Sequence, residues 1–74
     1  MTTKAWVKFI KKNHSYFEKA FSGSAKDRTS KESMSARSRL IAEVRKEFGY
    51  HDRDDAFVVN KLFGRWQYYA GVNH

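Results

Sequence analysis

The chain is predicted to fold as a small all-α, single-domain, three-helix protein, and three observations predict it. Apolar residues recur at helical spacing through three separate stretches. The chain has no proline, so no stretch carries an obligatory helix breaker. Glycine and small polar residues fall between the stretches, at Ser22-Gly23-Ser24 and at Gly49. Seventy-four residues allow only one small core. With 41% apolar residues, six Phe and two Trp, that core is adequately supplied. There is no cysteine, which excludes disulfides and thiolate metal sites.

The first helix is predicted over residues 3–21, with Thr2 or Thr3 as its N-cap. Trp6, Ile10, Asn13, Phe17, Ala20 and Phe21 define its inward face. Phe9 and Tyr16 flank that face on one side and His14 on the other. The outer face carries Lys4, Lys8, Lys11, Lys12, Ser15 and Lys19, with Glu18 the only acid. His14 and Glu18 stand one turn apart, which predicts a local side-chain contact rather than an acid/base pair. Gly23 suits the left-handed position past a helix end. Residues 22–33 follow as a polar linker without apolar anchors, expected to be mobile and to carry Lys26, Arg28 and Lys31 as a basic arm.

The second helix is predicted over residues 31–48. Thr29 and Glu32 have the spacing of a capping box, with Ser33 a competing cap. Met34, Leu40, Ile41, Val44 and Phe48 share an inward face, with Arg37 at its N-terminal end. Arg39, Glu43 and Lys46 point away. Gly49 ends the helix, and Tyr50 and His51 form a tight link. Asp52 then caps the third helix, with Asp54 and Asp55 favourable in its first turn.

The third helix is predicted over residues 53–70. It holds five of the chain's aromatic residues, and Ala56, Val59, Leu62, Phe63, Trp66, Tyr69 and Ala70 fall on one face. That face is expected to form one wall of the core. Phe57 and Tyr68 lie opposite, with Lys61 and Gly64 between them and Arg65 at the edge. In a small helical protein the simplest account of Phe57 is a wide apolar arc. Exposed aromatics among cations also suit a protein hot spot or stacking on bases.

Charge carries most of the functional information. The net charge is +7. Residues 1–31 hold eight Lys/Arg against Glu18 and Asp27, a balance of +6, whereas residues 50–74 balance to zero. Such asymmetry points to an anionic partner met by the N-terminal half. Phosphate backbones are bound through several cations on one surface, and a Lys-rich stripe favours backbone contact over base reading. The expected contacts are Lys4, Lys8, Lys11, Lys12 and Lys19, with Arg28, Lys31 and Arg39 as additions, and the partner is DNA or RNA. The alternative is a protein–protein regulator or inhibitor of the accessory type that phages and mobile elements encode. It would bind an acidic partner surface and use Phe57, Lys61, Arg65, Tyr68 and Tyr50.

Other classes are weaker. The second helix, the Gly49 turn and the third helix have the layout of a helix-turn-helix, but Asp52, Asp54 and Asp55 would repel phosphate where a recognition helix enters the groove. Helix capping explains the His51–Asp55 cluster better than a metal does. There is no Ser/His/Asp order, glycine-rich phosphate loop or cysteine nucleophile. Three short helices also rarely enclose the roughly 300 Å³ that a small-molecule site needs. No enzyme, cofactor or metal is therefore expected. The first helix has the composition of an interfacial membrane helix, but its apolar side is needed for the core. No run is long enough to span a membrane and the N-terminus has no secretory apolar segment, so the expected location is cytoplasmic.

Overall fold

The computed structural model describes residues 3–22 and 29–72. These residues are all-α, in four helices: α1 (Thr3–Lys12), α2 (His14–Phe21), α3 (Lys31–Phe48) and α4 (Asp55–Val72). They form a slab with extents of 32 × 31 × 17 Å. The core holds Trp6, Phe9, Ile10, Phe17, Ala20, Phe21, Ala36, Leu40, Val44, Val58 and Leu62.

The predicted first helix is broken in two at Asn13. This residue has φ −112° and ψ 25° and is buried, at 6% exposure. Its amide Nδ2 donates to the Phe9 carbonyl at 3.0 Å, and its own backbone N–H reaches the same oxygen at 3.1 Å. A buried amide must find an acceptor, and here it competes for the helix backbone. The Asn13 carbonyl then accepts from Tyr16 N–H at 3.0 Å and Phe17 N–H at 3.1 Å, which starts α2 on a new axis. Aromatic packing fills the bend. Phe9 meets Phe17 edge-to-face across it, and Trp66 of α4 stacks on Phe17 at 5.5 Å while meeting His14 edge-on. Thr3, one of the two expected caps, already lies within α1.

The bent α1–α2 unit runs antiparallel along α3. Ser33 of α3 lies opposite Ala20, to whose carbonyl its hydroxyl donates at 3.0 Å. At the other end Phe48 packs on Trp6 and Phe9, with ring centroids 4.9 and 5.4 Å apart. Ser33 and Ala36 are small enough for α2 and α3 to approach closely, and both are buried. This displaces Met34, expected inward, to the surface at 52% exposure. The α3 cap also differs from expectation. Ser30, rather than Thr29 or Ser33, is the N-cap, its Oγ accepting from the Ser33 backbone N–H at 3.2 Å. The helix begins at Lys31, its expected first residue, so residues 31–33 belong to α3 although the span read as linker also included them. Of the remaining linker, residues 23–28, with Gly23, Lys26 and Arg28, lie outside the described residues.

Two successive positive-φ residues, Gly49 (98°) and Tyr50 (63°), reverse the chain after α3. Arg53 N–H then donates to the Tyr50 carbonyl at 3.1 Å. This turn consumes residues 50–53 and delays α4, so the cap is Asp54, not Asp52. Asp54 Oδ1 accepts from Phe57 N–H at 2.8 Å. Arg45 secures the junction, pairing with Asp55 at 2.9 Å and donating to the Arg53 carbonyl at 2.8 Å. Asp54→Ala should therefore destabilise the fold by about 1 kcal/mol, whereas Asp52→Ala should leave the denaturant midpoint almost unchanged. Equal effects would contradict this cap.

The inward face of α4 is rotated from the one predicted. Val58 and Leu62 are fully buried, while Val59, Phe63, Trp66 and Tyr69 are half-buried and packed around the core's edge, and Ala70 is half-buried. Ala56, expected inward, is exposed.

Candidate nucleic-acid interface

The lysines read as one stripe occupy three different settings, because Lys12 leaves α1 at a different angle from Lys4, Lys8 and Lys11 and the bend at Asn13 separates Lys19 from all four. Lys4, Lys8 and Lys11 project from α1 opposite its buried residues Trp6, Phe9 and Ile10. All three are exposed, none makes an ion pair among the described residues, and no acid precedes Glu18. This is an uncompensated patch of positive charge presented by about two turns of one helix.

Lys12 is turned toward α3. It lines a shallow depression of about 240 Å³ with Glu43, Lys46 and Glu47. Two carboxylates there balance two ammonium groups, so Lys12 adds little net field. Lys19, beyond the bend, lines a second and larger cleft with Tyr16, Lys31, Glu32, Ser35 and Ala36. Its volume is about 370 Å³, more than three-helix packing was expected to leave. Arg39 stands beside this cleft, its guanidinium 5.6 Å from the centre of the Tyr16 ring and its Nε 3.4 Å from Glu43. The structure thus brings Lys19, expected as part of the stripe, together with Lys31 and Arg39, which the sequence offered only as additions. Arg28 lies outside the described residues.

Sequence reasoning missed Tyr16 and Ser35 as surface determinants. Tyr16 was legible only as a flank of the apolar face, and nothing in the sequence marked Ser35.

The second candidate surface is the outer face of α4. Phe57, Lys61, Gly64, Tyr68 and Gly71 recur there at alternating spacings of four and three, the seam of one helix packing on another. Phe57 is 38% and Tyr68 58% exposed. A methyl group built on Gly64 or Gly71 would meet nothing within 4 Å, so no packing among the described residues requires either glycine. Phe57 is partly covered by Tyr50, at a centroid distance of 6.1 Å, and by the Arg53 guanidinium at 4.9 Å. Arg65 does not join this face, because its guanidinium lies over the buried Trp6 ring at 5.5 Å. Tyr50 is half-buried in the turn.

His14 Nδ1 lies 3.5 Å from Glu18 Oε1, the local contact expected. Among the described residues no group of three or more His, Asp or Glu is placed to hold a metal ion. No helix among them is long and apolar enough to cross a membrane. The chain matches no protein-family model, no curated protein and no solved structure.

Proposed function

We propose that this chain is a small non-catalytic module that binds nucleic acid through its phosphate backbone, with Lys4, Lys8 and Lys11 as the principal contacts. The observation that carries the reading is the acid-free outer face of α1, where three exposed lysines have no ion-pair partner among the described residues. Binding there would release condensed counterions, the main source of affinity for contacts that ignore base sequence. Lysine, a point charge on a flexible stem, suits such contacts.

Salt dependence tests this directly. Three phosphate contacts predict a loss of about fortyfold in duplex affinity for a fourfold rise in salt, reduced to about fourfold in the Lys8→Ala/Lys11→Ala double variant. Both lysines point away from the core, so the variant should melt as the parent does. An undiminished salt slope in the double variant, or no polynucleotide binding by the parent at low salt, would defeat the reading.

One observation favours a second reading, a protein-binding regulator. The α4 seam exposes two aromatics beside two glycines that leave room for another backbone. On that reading Phe57→Ala/Tyr68→Ala would abolish partner binding, and the lysine pair would mainly slow association.

A further inference from the structure

We propose that the cleft between α2 and the N-terminal half of α3 holds one unpaired nucleotide of a single strand. This rests on the phosphate-binding reading and adds to it a site that distinguishes single strands from duplex.

The cleft exists because of the close α2–α3 seam. Ser33 and Ala36 draw the helices together at the bottom, and Ser35 puts no bulk above them. The remaining space, about 370 Å³, suits a base with its sugar and phosphate rather than a lone ion. Tyr16 forms one wall. It is half-buried, so its ring is held by surrounding structure, and the Arg39 guanidinium lies over the ring at 5.6 Å from its centre and close to Glu43. A rigid aromatic ring flanked by a guanidinium is what stacking on a base requires, and every base offers a π face. Lys19 and Lys31 stand at the cleft with no ion-pair partner among the described residues, placed for the flanking phosphates.

Glu32 narrows the ligand class further. Glu32 lines the same cleft. A carboxylate only accepts hydrogen bonds when ionised, so it repels phosphate and favours a base with an exocyclic amino group. Cytosine, adenine and guanine carry one at the Watson–Crick edge and thymine does not. In a duplex that edge is already paired and the base is stacked, so the cleft is closed to it. The α1 lysines face elsewhere and remain available to either form.

The test compares oligo(dC), oligo(dT) and a hairpin duplex of matched length at one low salt concentration. Tyr16→Ala removes the wall, and Ser35→Leu fills the cleft from an exposed position without touching the core. Both should weaken oligo(dC) binding by about tenfold while leaving duplex affinity and its salt slope unchanged. Oligo(dT) should bind the parent less tightly than oligo(dC), and Glu32→Gln should shrink that difference. Circular dichroism melting checks Tyr16→Ala for folding. Should that variant fail to fold, Ser35→Leu carries the same comparison. Oligo(dC) affinity unchanged in Ser35→Leu, with duplex binding intact, would overturn the cleft and leave the phosphate reading standing. Equal loss for duplex and single strand would also overturn it. Absence of binding to all three probes would overturn both.

Discussion

Trp6→Ala should leave the domain largely unfolded at room temperature, with the loss of most helical circular dichroism. Trp6 is 1% exposed and packs on Phe9 edge-to-face and on Phe48 at 4.9 Å, so it joins α1 to the end of α3. Truncating a buried aromatic to alanine costs about 3–5 kcal/mol. At roughly 0.05–0.15 kcal/mol per residue, a domain of this length has only about 4–11 kcal/mol to lose. The substitution to phenylalanine should behave quite differently. Trp6 Nε1 is buried with no hydrogen-bond partner among the described residues, so the indole carries an unpaired donor. Trp6→Phe keeps a ring against Phe9 and Phe48 and removes that donor, whose burial opposes folding by about 1–3 kcal/mol. A melting midpoint close to the parent's is expected. A midpoint as low as that of Trp6→Ala would show that the indole nitrogen is satisfied.

Val58→Asp should be as damaging as Trp6→Ala. Val58 is fully buried, so a carboxylate there would lose its hydration. Burying an unpaired charge costs several kcal/mol, enough to unfold a chain this small. Ala56→Asp, two residues away on an exposed position, should shift stability by no more than about 0.5 kcal/mol. Measured by thermal melting, the pair fixes the rotation of α4. Tolerance at position 58 with collapse at position 56 would reverse the assignment made here.

That rotation shows where the sequence stopped being informative. In α1–α2 the apolar positions occupy one side only, and every residue read as inward there is buried. In α4 apolar residues run around most of the circumference, from Phe57, Val58 and Val59 to Trp66, Tyr68 and Tyr69. Periodicity then fits two faces nearly equally, and only contact with α1 and α3 selects between them. Met34 failed for another reason. Hydrophobicity ranks it above Ser33, yet a serine that can pass its hydroxyl to a carbonyl of the facing helix allows a shorter interhelix distance than methionine would. Such a choice depends on the partner helix, which the sequence does not display. Trp66, read as core, is half-buried, because it covers the bend at Asn13 rather than entering the interior. The candidate site was legible in the same measure. The exposure of Lys4, Lys8 and Lys11 followed from spacing alone. The direction of Lys12 toward α3 follows from its own angle on α1, before the break, whereas that of Lys19 into the cleft followed from a break that only a buried asparagine signalled.

The close α2–α3 seam also orders events in time. Ala20 and Ser33 lie close together in sequence, so joining them encloses a short loop at little entropic cost. Contacts of that kind are reached early on the way to the native state, and those of α4 with α1 close a far longer loop. Assembly is thus expected to run from an α2–α3 hairpin outward, with α4 docking last across the bend. In chevron measurements, a substitution at Ala36 should chiefly slow folding, whereas one at Leu62 should chiefly hasten unfolding. The reverse partition would place the nucleus on α4.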